Sequence, residues 1–70
     1  MEWSKTKILR NILEGGGVTN EYPFISTGME HWLAVLLRER LVVRVRSDDN
    51  FDEIHITDKG RAMLKDEETA

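Results

Sequence analysis

Apolar and polar positions recur along the chain with two different periods, and the change of period divides it into segments. Ile8, Leu9, Ile12 and Leu13 make one helical stripe over residues 4–14, with Lys5, Lys7, Arg10 and Asn11 off it. Ser4 is placed as the N-cap of this helix, and Trp3 before it as an apolar staple onto the first turn. Gly15-Gly16-Gly17 stops it, because glycine enters a left-handed cap without steric cost. Residues 18–26 hold neither period. Pro23 lacks an amide proton and drives Tyr22 from helical angles, which predicts a single turn or stunted helix around residues 21–25, anchored by Tyr22, Phe24 or Ile25. Met29, Leu33, Leu36 and Leu37, with Trp32 beside them, form a second stripe over residues 27–40, and Glu30, His31, Ala34 and Arg38 occupy the opposite face. Thr27-Gly28-Met29-Glu30 has capping-box spacing, so the Thr27 hydroxyl is expected to accept the Glu30 amide proton.

The period then falls to two. Over residues 41–46 the alternation predicts Leu41, Val43 and Val45 inward and Arg44 and Arg46 outward; over residues 53–57 it predicts Ile54 and Ile56 inward and His55 outward. Turn formers fill residues 47–52, so the two segments read as a β-hairpin. Thr57 caps a last helix running to about residue 66, with Asp58 on its positive end and Met63 and Leu64 as its apolar contacts. Residues 1–66 thus read as one domain and residues 67–70 as an acidic disordered tail.

Composition narrows the classes. Seventy residues without cysteine allow one domain, with no disulfide and no Cys-ligated zinc to hold it. One small apolar core, or self-association, must do so. No apolar run approaches the roughly 20 residues of a membrane span, and the start lacks a basic-then-apolar leader, which points to the cytoplasm. His31 and His55 sit on different elements with no metal-ligand spacing around them. No nucleophile has a partner constellation, and so small a chain has little room for a pocket. The expectation is therefore no enzyme, no cofactor, no metal and no small-molecule substrate. The glycine run is not a phosphate loop either: a helix precedes it and Val18-Thr19-Asn20 follows, where Gly-Lys-Ser/Thr would be needed.

A net charge of −3 speaks against nucleic acid, until it is partitioned. Residues 3–46 hold seven bases against four acids, and residues 47–70 three bases against eight acids. The first part is a net +3, the second −5, and Glu2 supplies the remaining charge.

The order helix, stunted helix, helix, hairpin, helix, together with two stretches, carries a family resemblance. Trp32-Leu33-Ala34-Val35-Leu36-Leu37-Arg38-Glu39-Arg40-Leu41-Val42 is similar to a recognition helix running into a first wing strand, and Ile56-Thr57-Asp58-Lys59-Gly60-Arg61-Ala62-Met63-Leu64 to the Leu-Thr-x-Lys-Gly segment that leaves the wing. The chain resembles the winged helix-turn-helix family, in particular small bacterial and archaeal transcription regulators of the MarR-like or archaeal-phage-repressor kind. That implies an α+β fold: a three-helix core with a short second helix, a two-stranded β-hairpin wing and a short C-terminal helix. It also implies a DNA-binding transcriptional regulator whose recognition helix, residues 27–40, enters the major groove of double-stranded DNA. By position the contacts would come from Ser26, Thr27, Gly28, His31 and Arg38, with Arg44 and Arg46 on the phosphate backbone.

The same residues also fit a plainer reading. Thr27 and Glu30 would then be a cap, His31 a solvated group, and the two wing arginines a solvated strand face or partners of Glu53. Three positions depart from the family pattern. Arg40 stands where the family usually has glycine, which predicts either a different turn or a left-handed arginine. Pro23 interrupts the second helix, and the loop at residues 48–53 is acidic where a DNA-binding wing is usually basic. The alternative is a winged-helix module that binds a protein or a second copy of itself, through surplus apolar residues such as Trp32, Val35 and Leu37.

Overall fold

A computed structural model describes residues 3–48 and 50–69 as a small α+β domain of four helices and a three-stranded antiparallel sheet. The elements follow in the order α1 (Lys5–Glu14), β1 (Val18–Asn20), α2 (Tyr22–Ser26), α3 (Glu30–Arg38), β2 (Val42–Val45), β3 (Glu53–Ile56) and α4 (Asp58–Thr69). Asp49 of the acidic loop and Ala70 of the expected tail lie outside the described residues. No helix among those described is long and apolar enough to cross a membrane.

One core joins all the helices to one face of the sheet. Ile8, Leu9 and Ile12 from α1, Phe24 from α2, Leu33 and Leu36 from α3, and Leu64 from α4 close over Val42, Ile54 and Ile56. Leu41 is buried with them, and Met29, Trp32, Leu37 and Met63 pack against the rim. Of the three anchors open to α2, Phe24 is the one buried; Tyr22 and Ile25 face solvent, as does the edge residue Leu13. Ser4 caps α1 as expected, accepting the Lys7 amide proton at 3.2 Å.

The first three helices end alike. In each, the residue past the C-cap turns left-handed, and paired 5→2 and 6→1 hydrogen bonds satisfy the last carbonyls. Gly16 (φ 99°) does this for α1, with Gly17 N–H bonded to Ile12 O at 2.9 Å; Gly28 (φ 71°) does it for α2, with Met29 N–H bonded to Phe24 O at 2.7 Å. For α3 the residue is Arg40 (φ 61°), with Leu41 N–H bonded to Leu36 O at 3.0 Å. The left-handed arginine allowed by the sequence is thus present, and it sits where a Cβ crowds the carbonyl. Arg40→Gly should stabilise the domain by about 1 kcal/mol, which in a chain of this size raises Tm by roughly 4–8 °C. Thermal melting monitored by circular dichroism checks this, and an unchanged or lower Tm would mean that the turn is relaxed.

The segment Thr57-Asp58-Lys59-Gly60 clasps that same turn. The Thr57 hydroxyl accepts the Gly60 amide proton at 3.1 Å, capping α4, and donates to the Arg40 carbonyl at 2.7 Å. Lys59 Nζ donates to the Glu39 carbonyl at 2.9 Å, and Thr57 N–H to the Leu41 carbonyl at 3.0 Å. Three carbonyls just past the end of α3 are thereby answered from the start of α4.

Several features differ from the sequence-based expectations. Pro23 does not drive Tyr22 out of the helix: Tyr22 opens α2 and Pro23 stands in its first turn, where no amide proton is needed. The Thr27–Glu30 capping box does not form: α3 starts at Glu30 with Met29 as N-cap and no side-chain cap. Residues 27–29 are consumed in closing α2, and the Thr27 hydroxyl donates back to the Pro23 carbonyl at 2.6 Å. The facing of β2 is also shifted by one. Val42 pairs with the buried Ile56 and Arg44 with the buried Ile54, so these two lie on the helix side, while Val43 and Val45 face out beside His55 and Glu53. Leu41 is buried as part of the left-handed turn, and alternation begins only after it. A further strand, β1, for which the sequence carries no period, pairs with β3 and gives the sheet order β1-β3-β2. Last, α4 runs on to Thr69 through residues 67–69, which read in the sequence as tail.

Candidate nucleic-acid interface

The sequence-predicted residues fall into two groups. Ser26, Thr27, Gly28 and His31 share one corner, the turn from α2 into the first turn of α3, and all four are exposed. Gly28 holds its left-handed angle with no atom beyond its two chain neighbours within 4 Å of where a Cβ would stand, so backbone can be approached closely there. His31 leans on its neighbour Trp32, ring centroids 5.5 Å apart and planes at 41°. Further along the same outward face come Ala34 and Arg38, both exposed, while Leu33 and Leu36 hold the opposite face in the core. Ser26 and Thr27 both direct their hydroxyl protons at the Pro23 carbonyl, at 3.4 and 2.6 Å, so in this state they present oxygen lone pairs outward.

Arg44 and Arg46 do not act as the free pair that the alternation suggested. Arg44 Nη2 lies 3.6 Å from Glu21 Oε2, at the junction of β1 and α2. Arg46 follows the end of β2 and is exposed, and among the described residues neither it nor Arg38 faces a carboxylate as an ion pair. The Glu53 partner expected for these arginines is engaged elsewhere: its Oε1 is 3.2 Å from His55 Nε2.

No protein-family model, curated protein or solved structure matches the chain.

Several residues near this surface carry no signal in sequence. Glu21 is the clearest. Its Oε1 accepts the Asp52 amide proton at 2.9 Å, and its own N–H donates to the Asp52 carbonyl at 3.0 Å. Tyr22 beside it meets Phe51 across the gap, centroids 5.0 Å apart and planes tilted by 56°. The β2–β3 loop is thus stapled to the start of α2 by one backbone–backbone bond, one bond from backbone to the Glu21 carboxylate, and one aromatic pair. At the other end of α3, Lys5 Nζ pairs with Glu39 Oε2 at 2.6 Å, beside the Lys59 bond to the Glu39 carbonyl. These contacts join residues 20 to 34 positions apart, which a short-range pattern cannot reveal.

An apolar cleft of about 230 Å³ lies between α1 and α2, and Trp3 and Ile8 are among the residues that line it. It falls below the roughly 300–1,000 Å³ of ordinary ligand sites. Among the described residues no group of three His, Cys, Asp or Glu side chains is placed to hold a metal ion.

Proposed function

We propose that the chain is a small winged helix-turn-helix protein that binds double-stranded DNA and regulates transcription. In this reading α2 and α3 form the helix-turn-helix, α3 enters the major groove through its N-terminal half, and β2, β3 and their loop are the wing. What carries it is the combination of element order, the sheet order β1-β3-β2 and a turn-flanked α3 whose outward face, His31, Ala34 and Arg38, is not used to hold the fold together. Base edges would be met near Gly28 and His31, and phosphates by Arg38 and Arg46. The test is a ¹⁵N-resolved titration with a duplex of about 20 base pairs at low salt. Amide shifts should concentrate in residues 26–46; if no amide there moves, the reading is lost.

A second reading has an observation of its own. Val18, Val43 and Val45 are 39 %, 46 % and 38 % exposed on the outer face of the sheet, around His55. An apolar sheet face of this kind suits a protein partner or a second copy. The surplus residues of α3 do not supply it, since Trp32 and Leu37 pack on the core. Under this reading the apparent mass rises with concentration, or a partner co-purifies, and duplex DNA leaves residues 26–46 unmoved.

A further inference from the structure

Glu21 has a part-buried side chain, 16 % exposed, whose carboxylate touches two separate parts of the proposed DNA surface, Asp52 in the β2–β3 loop and Arg44 on β2. One oxygen is fixed by the Asp52 amide, and its backbone N–H is fixed by the Asp52 carbonyl, so the side chain has little freedom to turn away. The other oxygen is left facing Arg44, whose own side chain is 47 % exposed and so accessible from outside. Arg44 sits opposite Ile54, on the helix side of the sheet, which aims it at the β1–α2 junction and not along the outer face with Val43 and Val45.

A guanidinium held this way is shared between an internal carboxylate and any external anion. We propose that Glu21 is an affinity-setting residue: its carboxylate competes with DNA phosphate for Arg44, and so holds back one phosphate contact from the wing. This rests on the DNA-binding reading above and makes it more specific. In the free protein the pair is locally neutral. When DNA arrives, Arg44 either stays with Glu21 and adds little, or turns to phosphate and leaves a carboxylate behind that repels the backbone. Both outcomes weaken binding relative to an uncommitted arginine. The loop staple does not depend on the charge, because a glutamine amide oxygen can accept the Asp52 proton as the carboxylate does.

The experiment is a double-mutant cycle of Glu21→Gln and Arg44→Gln, read as duplex affinity from about 50 to 200 mM salt. Glu21→Gln alone should tighten binding roughly three- to tenfold at the low-salt end and steepen the log–log salt dependence by about 0.9, the value of one added phosphate contact. In the Arg44→Gln background the same change should be worth less than about twofold, since the arginine it frees is gone. Equal gains in both backgrounds would mean a general field effect and would overturn the proposal, as would a weaker Glu21→Gln with its Asp52 amide still protected from exchange. Should Glu21→Gln lose that protection, the fold itself has changed, and the wild-type complex decides: the Arg44 side-chain Nε signal must shift on titration with DNA, and a signal that stays put overturns the proposal. If the wild-type chain binds no duplex at all, it is the DNA-binding reading that fails.

Discussion

Gly60→Ala should lower the melting temperature by roughly 12–24 °C, the equivalent of about 3 kcal/mol in a domain of this length. A Cβ at this position would overlap the Leu41 carbonyl oxygen and stand 2.9 Å from Ile56 Cγ1, both of them fixed atoms. The Leu41 oxygen cannot retreat, because it accepts the Thr57 amide proton while the Leu41 N–H is held by the Leu36 carbonyl in the left-handed turn after α3. Ile56 cannot swing aside either, because it is buried in the core and bonded through its N–H to the Gly17 carbonyl. The methyl group must therefore lift α4 off the α3–β2 turn, and with it the Thr57 and Lys59 bonds to the Arg40 and Glu39 carbonyls. Total stability for seventy residues is on the order of 4–10 kcal/mol, so such a loss removes a large fraction of it. Thermal or urea denaturation measures the effect. A drop below about 4 °C would mean that α4 can shift at little cost and that the clasp is loose.

That clasp also marks how far the sequence could be read. Thr57-Asp58-Lys59-Gly60 announces a capped helix on local grounds, and the cap is there. Its second duty, answering three carbonyls at residues 39–41, depends on where α3 ends in space, and no spacing along the chain encodes that. The facing of β2 is not legible for a different reason. Val42, Val43 and Val45 place apolar residues on both faces of one short strand, so alternation alone admits two facings; the choice is made by Arg40, whose left-handed turn commits Leu41 to the core first. Thr27 was legible as a capping residue but not as belonging to the helix before it. The decisive partner was Pro23, four residues back, at the start of a helix too short to show a period. β1 has only three residues and exists because Gly17 ends α1 beside β3, so it is a product of tertiary placement. The candidate interface divides along the same line. Its α3 half follows from helical periodicity, while the wing half hinges on Glu21, whose contacts reach to residues 44 and 52.

This division decides which arginines test DNA binding most sharply. Reversing both Arg38 and Arg46 to glutamate should weaken duplex binding at about 50 mM salt by at least roughly a hundredfold and flatten the log–log salt dependence by about two. Arg44 is left out on purpose: a glutamate there would face Glu21, and the resulting repulsion would disturb the loop staple as well as the DNA contact. Arg38 and Arg46 are exposed, and among the described residues they hold no ion pair, so their loss leaves no buried charge behind. The one structural cost is at Arg38, in the last turn of α3, where a cation suits the negative end of the helix dipole. Arg38→Gln with Arg46→Gln also gives up the cation but, unlike glutamate, puts no anion at that negative end, so its structural cost is smaller. It should still flatten the salt dependence by about two, because the slope counts phosphates neutralised and is indifferent to what replaces the arginine. Binding measured across a salt series, with melting curves on the same samples, separates the two effects. Should the slope stay unchanged in both variants while the fold is intact, these arginines are solvated surface groups, and the outer valine face of the sheet becomes the better place to look for a partner.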